Sequence, residues 1–559
     1  MTGTLNSVLF PTAPNSRHLG NERLFNLTPL SNLSAEDRRK FVLFGRGPQN
    51  TPAFTTLHRA FEYHATTRPH AVAAMHGGRS ISYSDLNEKA EKLATVLLQA
   101  GVKSGDSIGV FLTRSIPMLV GMFACLKIGA NYVPQHAGVV PKTQLEHITN
   151  LTRMKVVLTL SEHLSDMPEL PNVRLIALDE LMKSFEFRAL PTSGRRPANT
   201  NDTCFILFTS GTTGTPNGVQ VTHKNVCNIV LTAPGNLGIK PGSRVAQLLS
   251  ISFDMSAWEI YGALCNGATL LIRDKIIEHT ASNADVIIAT PSVLASIDTS
   301  VCQDAKVVAV AGEPCPQPLA ETWAEFCDFY NCCGPTETTI VNTMKRYAPG
   351  SPLTIGTPTP NNTVYILDEN LAPCAIGDVG EMWAGGICVT KGYLANVTLS
   401  QQRYRTDPYL GDGHVMFRTR DLGRWTENGE LEHHGRTDDQ VKIKGFRVEL
   451  DAISTMIERL PTCRQAVTLK VSDEHVVTFV APEDVNEAHA KEHVSANLPY
   501  YCVPTKIMAF EELPMTSRGK VDKRKLLDLY QASLREKAPT AQTQPLTPRS
   551  DEVEGEQHS

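Results

Sequence analysis

Residues 204–216 read Cys-Phe-Ile-Leu-Phe-Thr-Ser-Gly-Thr-Thr-Gly-Thr-Pro, a short apolar run that passes straight into glycines and hydroxyl residues. An apolar run of this length closed by glycine reads as a strand buried on both faces. The string Thr209, Ser210, Gly211, Thr212, Thr213, Gly214 then makes a tight loop with accessible backbone. Its N–H groups and hydroxyls can converge on an anion, with phosphate the foremost candidate. The lysine-bearing GxxxxGK[ST] pattern of P-loop NTPases is missing here. A nucleotide bound by this loop therefore occupies a different kind of site.

Working outward, similar short apolar runs occur at 108–112, 155–160, 173–178, 245–249, 284–289 and 306–310. Helical patterns separate them, so the reading is an α/β fold with large, mostly parallel sheets. Residues 88–100 place Leu93, Val96, Leu97 and Ala100 on one helix face and stop at Gly101. The stretch 118–130 reads as a buried helix interrupted by Lys127. From about 438 the pattern becomes a compact α+β unit, with a strand at 440–443, a helix at 449–460, strands at 466–471 and 476–480, and a further helix. The expected organisation is a linker-like segment at 1–50, a large domain at 51–437, a small mobile domain at 438–530 and a tail at 531–559.

Composition excludes several classes. With 559 residues, 41% hydrophobic and 20% charged, the chain is globular rather than disordered. A net charge of -5 provides no electrostatic footprint for nucleic acid. No apolar run reaches membrane-spanning length, so no membrane partner is expected. The opening Met-Thr-Gly-Thr-Leu-Asn-Ser has no secretory character, so the expected location is cytoplasmic. Thirteen cysteines without CxxC spacing argue for thiols packed in a core, not for a disulfide framework.

Further motifs follow in order: Phe253-Asp254-Met255-Ser256, Gly334-Pro335-Thr336-Glu337-Thr338-Thr339 and Arg418-Thr419-Arg420-Asp421-Leu422. Then come the run from Gly435 to Gly445, the run from Leu498 to Pro504, and Pro514-Met515-Thr516-Ser517-Arg518-Gly519-Lys520-Val521-Asp522. From about Thr56 to Leu526 the chain resembles nonribosomal peptide synthetase adenylation domains, in the superfamily with acyl-CoA synthetases and firefly luciferase.

The resemblance implies ATP and Mg²⁺ as cofactors and a set of roles. A carboxylate attacking the α-phosphate brings negative charge against negative charge, so preorganised cations must offset it. Lys520 is the implied catalytic cation. Glu337 is the implied Mg²⁺ ligand, a hard oxygen suited to that ion, with Thr336 beside it on phosphate. Asp421 and Arg436 are placed at the ribose, Asn331 at the adenine edge, and Asp438 at the hinge of the small domain. The chain departs from the family at Asn217 (usually lysine), Cys333 (usually an aromatic stacked on adenine), Arg420 (usually glycine) and His433 (usually aromatic). Base stacking on an aromatic is worth about 1–3 kcal/mol, so Cys333 implies weaker ATP binding.

Asp254 stands where amino-acid-activating members hold the substrate ammonium, and a buried carboxylate needs such a partner. The implied pocket is Asp254, Met255, Trp258, Ser292, Ala309, Ala311, Cys332, Ile340 and Val341, whose small members make it deep. An N5-acyl-N5-hydroxyornithine, as in fungal hydroxamate-siderophore synthetases, fits that description. Alternatives are an aromatic amino acid, an acyl- or aryl-CoA ligase, and a non-catalytic docking module. Residues 31–50 are similar to a condensation-to-adenylation linker, and no GGxS-like site follows Lys520. The implied partners are therefore condensation and carrier domains, the latter presenting a phosphopantetheine thiol.

Overall fold

The structure is a computed structural model that describes residues 30–183, 198–211, 214–411, 413–516 and 521–536. Two large sheets carry the site. The first has six strands in the order Arg174–Ala177, Val156–Thr159, Ser107–Leu112, Asn131–His136, Thr203–Thr209 and Asn217–Thr222. All its pairings are parallel except the last, a hairpin through the glycine loop. The second has nine strands, with Asp328–Cys333, Val307–Val310, Val286–Ala289, Arg244–Gln247, Thr269–Ile272 and Val72–His76 as a continuous parallel block. The mostly parallel α/β reading is therefore correct. Parallel sheets gather the C-terminal ends of their strands along one edge, and ligand sites form there.

Local signals built these elements largely as the pattern requires. Ser115 caps the helix Ile116–Lys127 by accepting from the Met118 amide, and every residue from Met118 to Lys127 is buried. The Lys127 ammonium is tolerated because Glu62 and Glu91 meet it at 2.5 and 2.8 Å. The run 245–249 is shorter as a strand than its apolarity predicts. Pairing ends at Gln247 because the amides of Leu248 and Leu249 turn away to donate to the buried Glu259 carboxylate, at 2.7 and 3.2 Å.

A five-stranded antiparallel sheet follows, built from Asn362–Leu367, Gly380–Gly386, Tyr404–Thr406, Val415–Trp425 and Leu431–Arg436. Packed on it is a helix, Ala35–Phe44, where the linker-like reading of residues 1–50 expects no regular structure. Ser34 caps it, and Phe41 is buried against Tyr365 and Tyr409. The C-terminal unit has a hairpin, Gln440–Ile443 with Phe446–Glu449, and a three-stranded sheet under the helices Leu450–Glu458 and Glu487–Asn497. Its strands Phe446–Glu449 and Lys506–Ala509 have no counterpart in the sequence reading. Among the described residues no helix is long and apolar enough to cross a membrane. All thirteen cysteines are free thiols, nine of them buried.

Gly334 links the strand Asp328–Cys333 to the turn that carries Thr336 and Glu337. A Cβ there would lie 2.6 Å from Val341 Cα and 2.9 Å from the Asn342 nitrogen, so backbone would have to move. Gly334→Ala is expected to lose about 1–3 kcal/mol, as overpacking does, read as a lower urea midpoint with an unchanged slope.

Candidate active site

A cavity of about 970 Å³ lies between the strand ends of the two large sheets and the C-terminal unit. Its wall brings together Thr209, Ser210, Gly211, Gly214, Asp254, Met255, Ala311, Asn331, Cys332, Thr336, Ile340, Asp421, Arg436 and Asp438. Trp258, Ser292, Ala309, Glu337 and Val341 are off this wall. Trp258 and Ala309 are wholly buried in the core, with the indole N–H donating to the Gly235 carbonyl at 2.7 Å. Ser292 is exposed. Lys520, Thr212 and Thr213 lie outside the described residues.

In the glycine loop, Gly211 is required because a Cβ would sit 2.3 Å from the Thr215 carbonyl. Gly214 takes φ +78 and donates its amide to the Gly211 carbonyl at 2.9 Å. The Ser210 hydroxyl donates to the Arg447 carbonyl at 3.0 Å, joining the loop to the C-terminal hairpin. Asn217 accepts from Asn396 at 3.1 Å and is off the cavity wall.

Asp254 opens the helix Asp254–Leu264 and accepts from the Met255 amide at 2.8 Å. Burial pushes its carboxyl up, opposed by Thr336 and Lys442. Burial pushes the Lys442 ammonium down, and Arg447 adds to this, while Asp254 and Glu313 act against both. Also on the wall, the Asn331 side chain donates to the Thr354 carbonyl at 2.9 Å. The Asp421 carboxylate accepts from Arg436 and lies 3.4 Å from a His433 ring nitrogen. Burial pushes Asp421 up, but His433 and Arg436 outweigh it and hold the carboxyl below its ordinary range. Arg436 also grips Asp438, with Nε donating to Oδ1 at 2.8 Å, and Arg420 reaches the same carboxylate at 3.3 Å. Arg420 has φ +64, the left-handed conformation that a glycine would adopt without strain.

Glu337 is wholly buried. Arg447 of the C-terminal hairpin donates to it at 2.9 Å and the Tyr393 hydroxyl at 2.6 Å. The backbone beside it is strained, because Thr339 and Ile340 have φ of +52 and +74, rare for β-branched residues. Sequence reasoning assigned no role to Arg447 or Lys442, although both fall in or next to the motif that ends at Gly445. The alternation Val441-Lys442-Ile443-Lys444 was the available signal, since it puts a lysine opposite the buried face of a strand.

Burial alone would raise the Glu337 carboxyl, but Arg447, Arg403 and Tyr393 bring it from 4.5 to about 2. A depressed folded-state value stabilises the fold above the unfolded value, and the gain disappears as pH falls through the folded one. Glu337→Gln removes the nearer of the two carboxylates on the buried Arg447, with Glu449 remaining at 3.8 Å, and is expected to lose about 3 kcal/mol at neutral pH. The gap to the unaltered protein should narrow by about 3 kcal/mol between pH 4.5 and about 2. Urea unfolding of both proteins across that window measures it, and a constant gap would contradict the assignment.

Known proteins resemble this chain in sequence and in fold. The AMP-binding enzyme pattern matches residues 61–394. The chain is 43% identical over 498 residues to adenylate-forming reductase 06235 of Coprinopsis cinerea, covering 89% of this chain and 48% of that protein. It is 32% identical over 489 residues to the nonribosomal peptide synthetase sirP of Leptosphaeria maculans, covering 86% and 22% respectively. The chain thus spans about half the length of the reductase and a smaller share of the synthetase. Its fold is similar to that of NpsA-ThdA, an artificially fused adenylation–PCP di-domain from Klebsiella oxytoca. That match has a TM-score of 0.73 and 22% identity, covering 86% of this chain and 96% of that one. It is also similar to the Vibrio cholerae adenylation domain AlmE in complex with glycyl-adenosine-5'-phosphate. There the TM-score is 0.72 and the identity 21%, covering 87% of this chain and 99% of that one. The pattern match spans more than half of the chain, which therefore belongs to the AMP-binding enzyme family and is an adenylate-forming enzyme that activates a carboxylic acid with ATP.

Proposed function

We propose that this chain activates an acid carrying a free α-ammonium group and then passes the acyl group to the thiol of a phosphopantetheine arm. The observation that carries this is Asp254. Its carboxylate borders the cavity beside Thr336, and among the described residues no cation stands within salt-bridge distance of it. A substrate ammonium would supply that partner, and the substrate carboxylate would then point toward the Thr209–Gly214 loop. At the far end Asn331, Asp421 and Arg436 would hold the nucleoside. A bulky side chain, of which N5-acyl-N5-hydroxyornithine is one example, is supported by Ala311 and Cys332 on the wall. The name of the Coprinopsis relatives supports a second fate for the activated acid, reduction after transfer.

The Glu337 carboxylate fits a hard divalent cation by its donor chemistry, but Arg447 engages both of its oxygens here. Mg²⁺ would bind there only once the C-terminal hairpin has withdrawn, and when bound it would neutralise phosphate charge. Two lysines then divide the work. Lys442 faces the cavity in the present arrangement and serves transfer to the thiol, whereas Lys520 serves adenylation after the small unit turns at Asp438.

ATP–pyrophosphate exchange tests both readings. The preferred amino acid should exchange, and its des-amino analogue should fall by at least tenfold, because the Asp254 carboxylate is left unpaired. Equal exchange of the two would remove Asp254 from substrate selection. Lys520→Ala should lower exchange by orders of magnitude, whereas Lys442→Ala should spare exchange relative to thiol acylation. Parallel losses in both half-reactions for both variants would remove the division of labour.

A further inference from the structure

The cavity has a second end that the nucleotide and ammonium assignments leave unused. Strand order places it. In the six-stranded sheet, moving away from the glycine loop at Thr209, the next strand ends at His136 and the one beyond it leads to Arg114. In the nine-stranded sheet, moving away from Asn331, the parallel strands end in turn near Ala311, Thr290, Leu248 and Arg273. Arg114, His136 and Arg273 therefore meet on the cavity wall opposite the Asn331 and Asp421 end.

The two guanidinium groups are poorly compensated. Among the described residues neither lies within salt-bridge distance of a carboxylate. Arg114 donates one N–H to the Leu249 carbonyl at 3.3 Å, and Arg273 one to the Leu248 carbonyl at 3.4 Å. A guanidinium has five donors, and Arg273 Nε is buried with no hydrogen-bond partner. The nearby carboxylate, Glu259, is directed at the amides of Leu248 and Leu249. Burial pushes the His136 imidazole down to about 4, with the arginines adding to the effect, so it is neutral at neutral pH and can still donate a hydrogen bond. Gln135, Ser250 and Ser252 border the same wall. Paired arginines with uncommitted donors match the fork geometry of a carboxylate or phosphate.

We propose that Arg114, Arg273 and His136 form an oxyanion subsite that takes a phosphate or carboxylate borne by the ligand at the end remote from the adenylate. The inference rests on the proposed reaction for what occupies the other end. The same wall continues to the contact between the two units. The wall beyond His136 runs through Val139, Val140 and Gln144 to Leu498 and Tyr500, and the Gln144 side chain donates to the Asn497 carbonyl at 3.2 Å. The oxyanion has two chemical sources, the phosphate of the thiol-bearing arm or a second carboxylate on the acid.

The test uses the whole chain and two matched pairs of probes. Calorimetry compares 4′-phosphopantetheine with pantetheine, and L-glutamate with L-norvaline, in the unaltered protein, Arg273→Gln, Arg114→Gln and Arg273→Lys. The anionic member of one pair should bind at least tenfold tighter. Either glutamine variant should erase that preference, and Arg273→Lys should restore part of it, whereas a merely buttressing arginine would change fold stability and leave the ratio alone. The phosphate source is indicated by a preference in the first pair and the carboxylate source by one in the second. Absence of preference in both pairs, or its survival in both glutamine variants, would overturn the subsite. Binding is read without turnover, so loss of pyrophosphate exchange would count against the proposed reaction and not against the subsite.

Discussion

The buried Glu337 carboxylate is the constraint around which the site is arranged. A wholly buried charge must find a partner of opposite sign, and the partner comes from the C-terminal hairpin as Arg447, 2.9 Å away. That pair brings the hairpin over the cavity. It sets the Arg447 carbonyl against the Ser210 hydroxyl and puts Lys442 where it acts on Asp254. Any arrangement that removes the hairpin must supply another cation to Glu337. The turning of the small unit that we propose would therefore be tied to charge at one carboxylate.

Two departures from the family pattern acquire physical meaning in the fold. Arg420 stands in a left-handed backbone position, and its side chain reaches Asp438, so strain and an ion pair sit at the same junction. Asn217, where a lysine is usual, is held in the hairpin by Asn396 and adds no charge to the cavity. Positive charge is supplied instead by Arg436, Lys442 and Lys444, and at the remote end by Arg114 and Arg273. Strained backbone at Thr339 and Ile340, next to Glu337, belongs to the same region. Such strain persists where surrounding structure over-determines it.

Much was legible in the sequence. The glycine loop after an apolar run, the α/β alternation and the buried helix containing Lys127 were all read from local periodicity, which acts within a single element. The helix Ala35–Phe44 was missed although Ser34 and Asp37 carry a capping signal, because the polar character of its neighbourhood outweighed that cue. The end of the strand at Gln247 was beyond reach, since Glu259, which draws the next two amides away, belongs to a different element.

The sequence by itself determined which residue types are available for adenylation chemistry and where the strands and loops that carry them begin. Only the tertiary structure decided that Glu337 meets Arg447, 110 residues away, and that Trp258 and Ala309 fall outside the cavity. It also decided that Arg114, His136 and Arg273, from strands of two different sheets, share one wall. The reason is that parallel strands are joined by crossovers that set spatial order independently of chain order. Local periodicity fixes which way a side chain faces within its own strand, whereas the neighbour it meets depends on the packing of strands distant in the chain.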